Sequence, residues 1–264
     1  MLLQKDICGK LLERCFFEET LLVKRSNSMT NSGSNRKPTG KIGPITINLE
    51  DKTAEFQPLQ FPKGKAKIEE FIFKFFIKGL GKAGRTFYKI VSYPTQNQEN
   101  DFDFTLETEF GDEYLDLMEV APLEKIGGSY EAASSSYNHG EMADWVWSKL
   151  ISKSKKYGSA STPHIHLLLY STDWRFRLSE GVIRLLAFWA ITREHCFKTI
   201  IYFVPDDATH DEAKIISPCD HDLFKGYDEE AARSRKSLIG NPEKIRQEGN
   251  GSFSIPLGKN SQIS

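Results

Sequence analysis

The stretch Phe102–Val120, FDFTLETEFGDEYLDLMEV, contains two strand patterns with a turn between them. From Phe102 to Glu107 apolar and polar residues alternate, which is the period of a half-buried strand. From Tyr114 onward the sequence is more apolar, as is typical of a strand deeper in a sheet. The stretch is therefore predicted to form a β-hairpin that turns near Gly111-Asp112.

This hairpin is strongly acidic. Between Glu99 and Glu124 the sequence has ten carboxylates and no Lys or Arg. Carboxylates this dense repel one another unless a positive charge lies among them. The hairpin is therefore the stretch in which we expect a metal ion or a basic partner to bind.

The overall charge excludes one simple class of function. The chain of 264 residues carries a formal charge of -1, so bulk electrostatic attraction does not draw it to nucleic acid or to a membrane. The charge is nevertheless uneven, since residues 63–89 hold eight Lys and Arg against two Glu. A second basic run consists of Lys149, Lys153, Lys155 and Lys156. These two segments flank the acidic hairpin in sequence.

Cysteine usage and hydropathy predict the compartment. Cys8, Cys15, Cys196 and Cys219 form no CxxC pair and have no metal-site spacing, which favours a reducing environment. No apolar run reaches eighteen residues, and charged residues interrupt the apolar N-terminus, so neither a spanning helix nor a signal peptide is predicted. We therefore expect a cytoplasmic protein with no membrane partner.

The order of predicted elements defines the fold class. We expect a flexible extension over residues 1–40, an α/β core domain over 41–210 and a polar, loop-rich segment over 211–264. Strand, helix and strand in succession predict a parallel βαβ unit, which the hairpin joins to make a mixed sheet in a three-layer α/β domain. The predicted core elements are a helix over 66–78, a strand over 87–93, the hairpin, a helix over 141–156, a strand over 164–170, a helix over 178–195 and a strand over 199–204.

The register of the hairpin decides what its carboxylates can do. If residues 110–112 form a three-residue loop, Asp103 lies opposite Glu119, and their Cβ atoms are roughly 5 Å apart. Two carboxylates at that distance could share one Mg²⁺ or Mn²⁺ ion. A slip of one residue sends Glu119 to the other face and removes the site. The sequence leaves both registers open.

The element order and these acids resemble the PD-(D/E)XK nuclease fold, that is, a restriction-endonuclease-like core. Members of that family bind a divalent metal with an Asp and a Glu and use a nearby Lys. The resemblance implies that Asp103 and Glu119 are catalytic metal ligands, with Glu69 or Glu70 as a further acid. It also implies that the basic helix over 141–156 lies along DNA or RNA.

The chain departs from the family pattern at two positions. Ala121 stands where the Glu-x-Lys motif has its lysine, and Phe102 precedes Asp103 where the family has proline. Lys125 or Lys149 is then the candidate replacement for the motif lysine. The alternative hypothesis is a non-catalytic interaction module whose acidic hairpin binds a basic partner.

Overall fold

A computed structural model of the chain describes residues 40–48, 50–82, 94–97, 102–157, 164–205, 213–248 and 252–256. The predicted extension before residue 40 and the predicted strand over 87–93 lie outside these ranges. The fold class predicted from the sequence is confirmed, because the described residues form a mixed α/β structure with helices on both faces of one main sheet.

The helices lie close to where the apolar periodicity predicts them. The first helix begins one residue before the predicted start and continues through the glycines at positions 79 and 81, which were expected to end it. The described residues form four α-helices, α1 (Lys65–Lys82), α2 (His139–Tyr157), α3 (Glu180–Thr192) and α4 (Glu229–Ser234).

Within the described residues, the main sheet has six strands in the order β3-β4-β5-β7-β8-β9. Neighbours pair antiparallel except that β5, β7 and β8 run parallel to one another. Its strands are β3 (Thr95–Gln96), β4 (Phe104–Thr108), β5 (Gly111–Glu119), β7 (Ile165–Tyr170), β8 (Thr199–Phe203) and β9 (Lys214–Ser217).

Three antiparallel pairs lie outside the main sheet. They are formed by β1 (Ile45–Asn48) with β2 (Thr53–Phe56), by β6 (Ser136–Asn138) with β10 (Lys236–Leu238), and by β11 (Arg246–Gln247) with β12 (Phe253–Ser254). The sixth strand of the main sheet, β9, and the strand β10 both come from the segment after residue 210, which the sequence analysis separated from the core.

Two apolar clusters cover the two faces of the sheet. On one face α1 packs through Ile72 and Phe76 against Leu115 and Leu117 of β5. On the other face α2 and α3 pack against residues of alternating position, such as Met118 in β5. Every residue of β7 and β8 is buried, as expected for parallel strands covered on both sides. The architecture is therefore three layers, with the hairpin reaching into both clusters.

The predicted βαβ unit is confirmed. Strands β7 and β8 are adjacent and parallel, and α3 connects them. The helix buries the residues that its periodicity points inward, namely Val182, Leu185, Leu186 and Trp189. Within the described ranges, none of the helices is both long and apolar enough to cross a lipid bilayer.

Candidate functional site

The β4–β5 hairpin forms in a register that the sequence analysis did not consider. Phe104 pairs with Leu115 and Thr108 pairs with Gly111, so the loop is the two-residue turn Glu109-Phe110. Gly111 has the positive φ expected of it, at 107°, but it is the first residue of β5 and not part of the loop. The arrangement with a three-residue loop is therefore wrong, and Asp103 does not lie opposite Glu119.

The observed register brings a different acid to Asp103. Because Phe104 pairs with Leu115, the next positions outward are Asp103 and Asp116, and their carboxyl groups lie close enough for Asp116 to raise the pKa of Asp103. Asp103 also binds the backbone of β5. Its Oδ2 accepts a 2.7 Å hydrogen bond from the backbone N–H of Leu117. This N–H lies just past the end of the β4–β5 ladder, so Asp103 satisfies a donor that would otherwise lack a strand partner.

Helix α2 supplies the polar neighbours of this acid pair. Lys153 donates from Nζ to Oδ2 of Asp116 at 2.7 Å, and the hydroxyl of Tyr157 donates to the same oxygen at 2.6 Å. Positions four apart on a helix lie on one face, so a single turn of α2 delivers both groups. The Asp116 side chain is only 2% exposed, whereas that of Lys153 is 30% exposed. The ammonium therefore connects the buried acid to the surface.

The electrostatics of the pair are dominated by burial and like charge. Burial, the neighbouring Asp116 carboxyl group and the charge of Glu69 together raise the pKa of Asp103 to about 7, with burial the largest cause. The Leu117 N–H acts in the opposite direction but is outweighed. Near pH 7 the Asp103 carboxyl group is therefore protonated in about half of the molecules, as expected for an acid that is buried next to another carboxyl group.

Helix α1 adds charges from its N-terminal end. Burial lowers the pKa of Lys65, but the charges of Glu69 and Asp103 outweigh it, so the pKa is raised overall. Lys65 also forms an ion pair with Glu69 at 3.3 Å. The acid Glu69, suggested by the family resemblance, thus lies near enough to Asp103 to influence its charge.

Glu119 belongs to another polar group, at the C-terminal end of β5. Its Oε1 accepts a hydrogen bond from the Tyr130 hydroxyl at 3.0 Å and another from the Thr172 hydroxyl. Burial and the Glu119 charge both raise the pKa of Tyr130 above its ordinary value. Lys125 lies exposed on the 3₁₀ turn after β5, and the described residues provide it with no carboxylate partner. Neither Glu119 nor Lys125 therefore joins Asp103.

A third polar cluster lies on the α1 face of the sheet. Glu113 accepts hydrogen bonds from Lys198 at 2.5 Å and contacts His166 Nε2 at 2.7 Å. The other ring nitrogen of His166 lies 2.7 Å from the Thr199 hydroxyl. Although burial alone would raise the pKa of Glu113, the hydrogen bonds of Lys198 and His166 hold it below its ordinary value. The negative charge of Glu113 therefore has its partners, Lys198 and His166, within the fold.

The acid pair has the donor set of a hard divalent cation. Among the residues that the structure describes, no group of three or more His, Cys, Asp or Glu side chains is close enough to hold a metal. Mg²⁺, however, commonly uses only one or two carboxylates and completes its coordination with water and substrate phosphate oxygens. The two carboxyl groups of Asp103 and Asp116, which lie at opposing positions of the hairpin, fit that requirement.

Sequence reasoning identified Asp103 but missed Asp116 and Lys153 as its neighbours. The signal for Asp116 was the hairpin register, and a two-residue loop at Glu109-Phe110 would have predicted the pair directly. Comparison with protein-family models, with curated proteins and with solved structures found no match for this chain.

Proposed function

We propose that this protein is a divalent-metal-dependent phosphodiesterase that acts on DNA or RNA, with Asp103 and Asp116 as its metal ligands. The observation that carries the proposal is the hairpin register, which brings these two carboxyl groups to opposing positions beside the Lys153 ammonium. A bound Mg²⁺ or Mn²⁺ would activate water and stabilise developing charge on phosphate. The protein's part is to hold two oxygens for the ion and to keep a cation next to them.

In this proposal Lys153 performs the role of the lysine that the family motif has on the strand. With Asp116 as the second acid, the acid-x-Lys motif would read Asp116-Leu117-Met118, and Met118 is apolar and buried. The ammonium comes instead from α2, at hydrogen-bonding distance from the acid. The chemistry of the lysine depends on the position of its Nζ atom and not on the element that carries it.

The cations around the pair favour a polyanionic substrate. Lys65 and Lys67 lie on the first turn of α1, while Lys155 and Lys156 lie exposed on the last turn of α2. These two helix ends belong to the same elements that supply Glu69 and Lys153. Basic side chains beside a metal-binding acid pair neutralise phosphates and orient a nucleic-acid backbone.

The alternative function, an interaction module for a basic partner, has one supporting observation. The hairpin tip exposes 74% of Phe110, and Glu107 and Asp112 are exposed beside it. Such a tip could contact a partner that is both apolar and basic. The buried acids of the hairpin do not favour this function, because Glu113 and Asp116 already have internal cations.

The test is a pair of thermal melts, with and without Mn²⁺, and a cleavage assay on single- and double-stranded DNA and RNA. We expect Mn²⁺ to raise the melting temperature of the wild type, because an ion that binds only the folded state stabilises it by mass action. Asp116→Asn should abolish both this shift and the cleavage. Lys153→Met should retain the metal-dependent shift but lose cleavage by at least about 100-fold, the loss expected for one positioned charge in a reaction centre.

Two controls make the result specific. Asp112→Asn removes the same charge from the exposed hairpin tip, and Glu119→Gln changes the acid that the Tyr130 and Thr172 hydroxyls bind. Both variants should keep the metal response of the wild type. A wild-type protein that neither shifts with Mn²⁺ nor cleaves would exclude the phosphodiesterase, and the interaction module would then be the better hypothesis.

A further inference from the structure

A second polar site lies at the opposite end of α2 from the acid pair. A pocket of about 310 Å³ opens where the start of α3 meets the segment leading into α4. Its volume is near the lower limit of the roughly 300–1,000 Å³ that is usual for small-molecule sites. The residues that matter for its chemistry are His139, Gly181, Arg184, Lys225, Asp228 and Arg235.

The charged groups of this pocket are mostly positive. Three cations line it, Arg184, Lys225 and Arg235, against the single carboxylate of Asp228. That carboxylate is already used, because it accepts the backbone N–H of Ala231 at 2.9 Å and so caps α4. The cations therefore face the pocket without a lining acid that is free to neutralise them.

The cations differ in how firmly they are held. The Arg184 guanidinium donates to the Leu223 carbonyl at 3.3 Å and lies over the Tyr227 ring, which fixes its position. Lys225 forms an ion pair with Asp222 at 3.0 Å. In the part of the chain that the structure describes, Arg235 has no carboxylate partner. An anion in the pocket would thus meet one positioned and one uncompensated guanidinium.

His139 forms a buried part of the pocket wall. Its side chain is 7% exposed, and burial lowers the pKa of the ring overall, although the Ala232 carbonyl lies close enough to the ring to raise its pKa as a hydrogen-bond acceptor. Nε2 lies 2.7 Å from the Ser237 hydroxyl and 3.3 Å from the Ser179 hydroxyl. When these hydroxyls donate to Nε2, the proton of the neutral ring is on Nδ1, which makes Nδ1 a donor. The ring edge that carries Nδ1 is enclosed and lies against Gly181, so His139 shapes the pocket wall and does not itself contact an anion there.

The N-terminal end of α3 adds to the positive electrostatic potential of the pocket. Ser179 precedes the helix but does not cap it with its side chain, since its hydroxyl is turned to His139. The first turn contributes Gly181 to the pocket wall, and a Cβ at this position would lie 2.4 Å from the His139 ring. Only glycine therefore allows the imidazole to lie against the helix start. Uncapped N–H groups at a helix N-terminus favour negative charge.

We propose that this pocket binds the phosphate group of a small molecule. The arginines supply the forked donors that suit phosphate oxygens, and Lys225 supplies a further positive charge at the pocket wall. The site is separate from the acid pair, since His139 and Lys153 lie fourteen residues apart on α2, which corresponds to about 21 Å along the helix. The proposal does not rest on the phosphodiesterase function and stands or falls by itself.

The test is isothermal titration calorimetry on the full chain in EDTA, so that no divalent metal contributes. The probes are inorganic phosphate, ribose 5-phosphate and ribose, each at an ionic strength matched with chloride. We expect saturable one-site binding of the two phosphates and none of ribose. Tighter binding of ribose 5-phosphate than of phosphate identifies a phosphomonoester as the ligand, and equal binding identifies free phosphate.

Matched variants connect the binding to the pocket. Arg235→Gln should weaken phosphate binding at least about ten-fold, because it removes a charged hydrogen-bond donor. Arg246→Gln, an exposed arginine on β11, should bind as the wild type does, and so should Asp116→Asn at the acid pair. Absence of binding above the chloride background would overturn the proposal, and so would equal losses in Arg235→Gln and Arg246→Gln.

Discussion

The buried acids on the two faces of β5 differ in the charges of their neighbours. Glu113 and Asp116 are three residues apart on this strand, so their side chains point to opposite faces of the sheet. On the α1 face, Glu113 contacts the Lys198 ammonium and the His166 ring. On the α2 face, Asp116 meets a second carboxyl group, that of Asp103, as well as the Lys153 ammonium.

The pKa shifts record the difference. The pKa of Glu113 is held below its ordinary value although the side chain is buried, while that of Asp103 is raised to about 7. Glu113 has enough positive charge around it to keep its carboxylate ionised, whereas Asp103 has too little. Burial by itself therefore does not distinguish a structural acid from a functional one. The distinguishing property is the balance of charge, and an acid pair short of positive charge is where a cation is expected to bind.

The largest effect on stability is expected from a substitution in the apolar cluster that packs α2 against the sheet. Leu150 lies on α2, is fully buried and packs in the cluster that covers this face. Leu150→Ala should lower the free energy of unfolding by roughly 2–5 kcal/mol, the usual cost of removing a buried leucine side chain. Chemical denaturation measures this cost. A change within about 0.5 kcal/mol would contradict it and show that α2 does not pack firmly enough to hold Lys153 on Asp116.

A smaller effect is expected on the compensated face. Glu113→Ala removes the acceptor of Lys198 and leaves one ring nitrogen of buried His166 without its partner. The expected loss is roughly 1–3 kcal/mol, the cost of leaving a buried polar group unsatisfied, and Lys198 can turn to solvent to limit it. Glu113→Gln is the control, because the amide can still bond to His166 and should retain more stability. A Glu113→Ala variant as stable as the wild type would mean that the contacts of Glu113 with Lys198 and His166 contribute little to the stability of the fold.

The sequence carries enough information for the elements but not for the contact between the acids. The apolar run from Leu167 to Tyr170 and the helical spacing of Val182, Leu185 and Trp189 made the βαβ unit predictable, since a buried strand and a one-sided helix have distinct periods. Burial of all these residues agrees with that reasoning. Local patterns are sufficient where burial and periodicity coincide.

The site depends on quantities that local patterns do not determine. The preference for glycine in hairpin loops placed Gly111 inside the loop, but the turn closes at Glu109-Phe110 and shifts the pairing by three residues. An odd shift exchanges the two faces of the strand, so Asp103 meets Asp116 and not Glu119. The contact of Lys153 with Asp116 spans 37 positions and depends on how α2 packs on the sheet. No short window of sequence contains that information.

The pH dependence of stability gives the finest test of the contrast between the faces. Because the folded protein holds a proton on Asp103 up to about pH 7, whereas an unfolded aspartate releases it near pH 4, the folded state binds more protons between these values. This contribution to stability is fully present below about pH 4 and is lost as the pH rises to about 7. Glu113 acts in the opposite direction, since its lowered pKa contributes stability that is lost as the pH falls.

Asp103→Asn separates the two contributions. The amide imitates the protonated acid, because it can accept the Leu117 N–H and donate to Asp116. At pH 5 the variant should therefore be about as stable as the wild type, and at pH 8 without metal it should be more stable by roughly 1–2 kcal/mol, since the repulsion between two ionised carboxylates is gone. Urea unfolding at a series of pH values measures both, with Asp112→Asn on the exposed tip as the control. If Asp103→Asn loses stability equally at pH 5 and pH 8, the pair is a neutral hydrogen-bonding feature of the fold and the cation deficit on this face does not exist.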